Sequence, residues 1–182
     1  MSFCLDEYRT QGIITVTIMT TPANLRLTNH ELMTEAIALA QEKMLAGAGG
    51  PFGAIIARQG IIIARGWNQV TSTNDPTAHA EIVCIRNACT VLQTFDLSGC
   101  ELIVNCEPCP MCLAAVYWAR LKRIIYGADH SDAAAIGFAD AFIYQELRLP
   151  NEDRSIPIQQ IMSAEARAGL KLWLALDNKI LY

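Results

Sequence analysis

Five residues in two short stretches could do chemistry together: His79 and Glu81 in "AHAE", and Cys106, Cys109 and Cys112 in "NCEPCPMC". Three thiols spaced three apart are one short of the four that close a structural zinc site or hold an iron–sulfur cluster. A ferredoxin-like cluster needs a further cysteine soon after the third, followed by proline, and none follows Cys112. Cys109 and Cys112 are the expected metal pair. Three apart at the start of a helix, their side chains share one face, and a helix N-terminus favours thiolate over thiol. Cys106 lies before Pro108 at the end of a strand and is expected to be a buried neutral thiol. With His79 as third ligand, zinc keeps one tetrahedral position open, the mark of a catalytic site. Bound water there has a pKa of about 7. Glu81 is not needed as a ligand and is expected to take and return that water's proton. His30 and His130 are read as structural or surface residues.

These groups need elements to hold them. Thr28-Asn29-His30-Glu31 is a capping box, and Leu32, Met33, Ala36, Ile37, Ala40, Met44 and Leu45 follow at helical spacing until "GAGGP". "GAIIAR" and "IIIARGW" around a two-residue turn predict a hairpin. "NQVTSTNDPT" reads as a polar loop, "AHAEIVCIRNACTVL" as a second helix and "CELIVN" as a buried strand. "PMCLAAVYWARL" is a third helix with Pro110 in its first turn, where a missing N–H costs nothing. "RIIYGA" is a strand, "SDAAAIGFADAFIYQELRL" a mixture of loop and helix, "IPIQQIM" a last strand and "SAEARAGLKLWLALDN" a last helix. Strands alternating with helices predict one α/β domain. His79-x-Glu81 and Cys109-x-x-Cys112 both open helices after strand-and-loop units, and so fall on one edge of the sheet, where open α/β sheets gather ligands. Residues 1–27 read as a separate N-terminal extension, either loose or carrying a short strand in "GIITVTIMTTP".

The chain has 182 residues, 52% of them apolar and 18% charged, enough for one packed domain. A net charge of −4 gives no electrostatic reason to expect nucleic acid or an anionic membrane as partner. "MSFCLDEYRT" lacks the pattern of a signal peptide, and no apolar run reaches the roughly 18–20 residues of a membrane span. Seven cysteines, an odd number, fit a reducing compartment, and the cytoplasm is expected.

His-x-Glu followed at a distance by Pro-Cys-x-x-Cys is the pattern of the zinc nucleobase deaminases. At these residues the chain resembles the cytidine deaminase-like superfamily and, more narrowly, the bacterial guanine deaminases. "GGPFGAIIA", "NDPTAHAE", "CEPCPMCLAAVYWAR", "DAAAIGFADAFIY" and the terminal "KILY" carry the resemblance in order, over about residues 30 to 182. The resemblance implies a three-layer α/β fold, a central mixed sheet flanked by helices, in a domain spanning 28–182. It implies Zn2+ on His79, Cys109 and Cys112, and Glu81 as proton shuttle. Asn68 would hydrogen-bond the purine, Phe52 and Trp118 would line the pocket, and Tyr182 would close it. Asp140 would be a second acid, although Glu146, one or two turns away, could serve instead. The implied reaction converts guanine to xanthine and ammonia. The implied assembly is a homodimer whose C-terminal segments exchange, although "LKLWLALDNKILY" could equally pack on its own chain.

Two further enzyme readings share the zinc chemistry. A tRNA adenosine deaminase would flip a base and hold RNA phosphates, against which the net charge of −4 argues. Arg120, Lys122 and Arg123 form the only tight basic cluster and read as a solvated helix end. Deamination of cytosine, cytidine or another amino-heterocycle is the other. A metal-binding scaffold without turnover is a reading from a different class, but nothing in the motif is degraded.

Overall fold

A computed structural model describes residues 26–181. "GIITVTIMTTP" and Tyr182 lie outside the described residues.

The first helix, α1 (Asn29–Leu45), starts where its capping box predicts. The Thr28 hydroxyl accepts from the Glu31 amide, and the Glu31 carboxylate accepts from the Thr28 amide at 2.8 Å. A cap of this kind stabilises a helix by about 1 kcal/mol. β1 (Gly53–Arg58) and β2 (Ile61–Trp67) form the expected hairpin, with a bulge at Ile56/Ala57. The loop predicted after β2 instead contains one helical turn, α2 (Val70–Thr73). The hydroxyls of Ser72 and Thr73 both donate to the Gln69 carbonyl and fold the turn back on itself, and Asn74 ends it in the left-handed region.

The remaining elements are α3 (Ala80–Leu92), β3 (Glu101–Cys106), α4 (Pro110–Trp118), β4 (Arg123–Ala128), α5 (His130–Ala135), α6 (Ala141–Glu146), a 3₁₀ turn at Asn151–Asp153 and α7 (Ser163–Leu174). "IPIQQIM" forms no strand. A strand exists through its ladder, and among the described residues this segment pairs with no strand, so Ile156, Ile158 and Ile161 stay exposed.

The sheet order is β2-β1-β3-β4. β1 is antiparallel to both neighbours and β3 is parallel to β4. β2, β3 and β4 therefore point the same way, and their C-terminal ends share one edge with the start of β1. Alternation along β1 and β3 sorts the core into two faces. Ile55, Ala57 and Ile103 pack with Leu32 and Ala36 of α1. Ala54, Ile56, Leu102 and Val104 pack with Ala80, Cys84 and Ala88 of α3 and Val116 of α4. The result is the expected three-layer α/β arrangement. Each of the fully buried aliphatic side chains contributes roughly 1.5–3 kcal/mol. α3 lies so close on β2 that a Cβ at Gly66 would run into the backbone of Ala80 and Cys84. That contact sets the height at which the first turn of α3 sits above the sheet.

Candidate active site

Every loop leaving the shared edge contributes to one cavity of about 310 Å³, at the small end of ligand pockets. Phe52 enters just before β1, His79 and Glu81 before and within the first turn of α3, Cys106 at the end of β3 with Glu107 and Cys109 after it, and Phe138 and Asp140 between α5 and α6. Asn105 on β3 fastens the first of these loops. Its amide accepts from the Gly53 N–H and donates to the Pro51 carbonyl, both at 2.9 Å, with Phe52 held between. Phe52 in turn meets Phe138 edge to face at 4.9 Å, which makes an apolar wall for a flat ring.

His79 is the N-cap of α3 and Cys109 the N-cap of α4, and neither side chain caps its own helix. Both turn to each other and to Cys112. His79 Nδ1 stands 3.6 Å from Cys109 Sγ and 3.5 Å from Cys112 Sγ, and the three donor atoms lie within 4.8 Å of one another. Zinc with tetrahedral bonds of about 2.0 Å to nitrogen and 2.3 Å to sulfur needs a nitrogen–sulfur edge of about 3.5 Å. The trio fits that ion in donor type and in spacing.

The protons on the trio follow from its geometry. The Cys112 thiol donates to Cys109, which drops Cys109 to about 4, with His79 assisting. The same bond holds the proton on Cys112 and raises its pKa. Hydrogen bonding to Cys109 raises His79. Glu81 is 6% exposed, and burial pushes its carboxyl upward. A carboxylate lifted in this way suits proton transfer near neutral pH. Cys106 is outside the trio. Its Sγ lies 3.8 Å from the Asp129 carbonyl, and burial pushes it up to about 11, so it remains the neutral thiol expected.

The other expected residues divide. Phe52 and Asp140 line the cavity. Glu146 does not; its carboxylate accepts from the Ser155 amide and hydroxyl at 2.8 and 2.9 Å. Asn68 is buried but is not among the cavity-lining residues; its Oδ1 accepts from the Gly50 and Val70 amides. Trp118 is 67% exposed and borders a different, apolar hollow with Phe95, Ile85 and Ile180, so one chain does not bring it to the cavity. Tyr182 lies outside the described residues.

Two cavity residues, Glu107 and Phe138, were not singled out in the sequence, nor was a site role for His130, which contacts two of the lining carboxylates. His130 Nδ1 is 3.2 Å from Asp140 Oδ2 and its Nε2 is 3.2 Å from Glu107 Oε1. Asp140 Oδ1 is buried with no partner. An orphaned buried acceptor costs about 1–3 kcal/mol, which a ligand N–H would recover. Glu107 sits inside the cysteine motif and could have been noticed there, but a lone histidine 23 residues further on carries no local signal.

Comparison with known proteins gives three results. Residues 27–128 match the cytidine and deoxycytidylate deaminase zinc-binding region. A guanine deaminase of Bacillus subtilis (strain 168) is 51% identical over 152 residues, 83% of this chain and 97% of that protein. The X-ray structure of guanine deaminase from Bacillus subtilis superposes with a TM-score of 0.83 at 49% identity, covering 86% of this chain and 99% of that one. A tRNA-specific adenosine deaminase of Agrobacterium fabrum is 43% identical, but over only 52% of this chain and 62% of its own length.

Proposed function

The chain belongs to the zinc-binding cytidine and deoxycytidylate deaminase family, and on that premise we propose that it is a guanine deaminase, converting guanine and water to xanthine and ammonia. The observation that carries the reading is the joining of the His79–Cys109–Cys112 trio and buried Glu81 at one small aromatic-walled cavity. The alignment along 97% of a guanine deaminase supports the substrate.

His79, Cys109 and Cys112 would hold zinc and leave one tetrahedral position open. When bound, zinc supplies a nucleophile by making water acidic enough to ionise at neutral pH. Glu81 takes the proton of the attacking water and returns it to a ring nitrogen beside C2 as the C–O bond forms. The proton left on the C2 hydroxyl then passes through Glu81 to the amine, with Asp140 bonded at the purine edge assisting, and ammonia leaves as the C2–O double bond forms. Phe52 and Phe138 together form one apolar wall for the ring to pack against, and Asn68 anchors the loop that carries Phe52 and would offer its amide to the purine edge.

We extend the proposal to the assembly. α7 buries none of its residues, and Leu170, Leu172 and Leu174 are exposed. So much apolar surface favours a second copy as cover. Two chains exchanging their C-terminal segments would bring Tyr182 over a partner's cavity and set exposed Trp118 beside it. The domain then runs over 28–182, with residues 1–27 an added extension. No helix among the described residues is long and apolar enough to cross a membrane. The free thiols of the described residues support a reducing, cytoplasmic location.

RNA deamination has less support. Arg120 pairs with Asp96, and Lys122 and Arg123 share Glu101, so two carboxylates offset most of the charge of the three-residue basic cluster. The test is ammonia release from zinc-loaded protein given guanine, adenine, cytosine, cytidine and tRNA in parallel. Guanine turnover with xanthine appearing supports the reading; turnover of another substrate and none of guanine overturns it.

A further inference from the structure

We propose that His130 is a positioning residue for the reaction: its ring clamps Asp140 through Oδ2 and so presents Oδ1 to the purine. The inference rests on the guanine reading above for the substrate, and on geometry for the clamp.

Asp140 occupies the N-cap position of α6, yet its side chain makes no capping bond. One carboxylate oxygen faces His130 Nδ1 at 3.2 Å and the other is buried without a partner. The free protein therefore holds one oxygen and leaves the other for a ligand. The ring that does the holding is itself fixed on three sides. Glu107, from the loop after β3, lies 3.2 Å from Nε2. The Tyr144 ring packs edge-on at 5.1 Å, and its hydroxyl donates to the Pro108 carbonyl at 3.3 Å. His130 itself opens α5 directly after β4, so its backbone is set by the sheet. The cavity wall made by the α5–α6 connection is thus tied through one imidazole to the cysteine loop on the opposite side. Among the described residues, no hydrogen bond otherwise holds the Asp140 carboxylate to a single rotamer, and a loose group loses rate steeply.

The two ring nitrogens have separable duties, and amide side chains can imitate them one at a time. An asparagine amide hangs at the same distance from Cβ as Nδ1, and a glutamine amide reaches to the position of Nε2. His130→Asn therefore keeps a donor toward Asp140 and loses the contact with Glu107; His130→Gln does the reverse. The experiment measures kcat and KM for His130→Ala, His130→Asn, His130→Gln, Asp140→Asn and His130→Ala/Asp140→Asn, beside melting temperature and zinc content. Ala and Gln should lower kcat about 10–100-fold, and Asn should recover most of that loss. In the Asp140→Asn background, His130→Ala should cost less than about twofold more. Equal loss in Asn and Gln, or losses that simply multiply with Asp140→Asn, overturns the proposal, as does parental kcat in His130→Ala. A second readout does not need turnover. The chain has only three histidines, so ring 15N signals can be assigned to His130, and Asp140→Asn should move the Nδ1 signal while Glu107→Gln moves Nε2. Signals that respond in a parent inactive on guanine leave the clamp standing and remove the guanine reading; signals that ignore Asp140→Asn in a guanine-active parent remove the clamp.

Discussion

His79 and Cys109 are the N-caps of two neighbouring helices, and their side chains, freed from capping, meet at 3.6 Å. Ser, Thr, Asp or Asn at either place would secure its own helix. The chain gives up that local bond at both helix starts and directs two metal donors to one point, with Cys112 one turn further along α4.

Glu81→Gln tests the proton shuttle. The amide keeps the size of the carboxyl and leaves all three donors in place. Zinc content by mass spectrometry should be unchanged while kcat falls by about 10²–10⁴-fold. Substantial xanthine formation by the zinc-loaded variant removes Glu81 from the role.

The trio predicts how zinc affinity depends on pH. Without metal, Cys109 is already a thiolate at about 4, but Cys112 keeps its proton and His79 is raised toward the protonated form. Zinc takes two thiolates and a neutral imidazole. The metal-free site binds more protons than the loaded one, so affinity rises with pH and is lost as pH falls. Calorimetry in two buffers of different ionisation enthalpy should count about one proton or more released per zinc near neutral pH. Zero release would mean the thiol proton is not where the geometry puts it.

Asp140 and Glu146 are separable by one substitution each. Asp140→Asn should lower kcat on guanine by about 10²-fold. Glu146→Gln, whose carboxylate faces Ser155, should change turnover by no more than about twofold and act on stability alone. The reverse order of effects would transfer the second acid to Glu146.

Exchange of tails is tested by mixing inactive chains. One carries Glu81→Gln with an intact tail; the other keeps Glu81 and lacks Tyr182. If the tail closes a partner's cavity, refolded mixtures regain activity, because one site then holds both parts. A mixture no more active than its components places each tail on its own chain.

Gly66→Ala should act on the site from a distance. Its Cβ meets the backbone of α3 at Ala80 and Cys84. Lifting α3 should cost about 1–3 kcal/mol of stability and weaken zinc binding through His79. A melting curve and a zinc titration read both, and an unchanged pair would show that α3 can slide on β2 without moving its first turn.

The amino-acid sequence by itself determined the elements and the chemistry that is local to them. The Thr28 capping box, the hairpin, Pro110 in the first turn of α4 and the His79, Glu81, Cys109 and Cys112 set are all legible, because each depends on neighbours within a turn or on a fixed spacing. The apolar run of "CELIVN" likewise read as a buried strand, which β3 is. What the sequence misjudged depended on partners far along the chain. "IPIQQIM" is rich in β-branched residues as a strand is, yet a strand needs a ladder, and none lies beside it among the described residues. Lone His130 reads only as a structural or surface residue, and folding sets its two nitrogens between carboxylates from different loops. Asp140 and Glu146 are indistinguishable as letters, and only their surroundings, His130 for one and Ser155 for the other, separate them. Trp118 follows its motif in sequence but faces away from the cavity of its own chain, because helix rotation, set by packing of Cys112 and Val116 inward, turns it outward. Spacing along one element fixes direction within it; which groups from different elements meet is decided by how the sheet orders its strands.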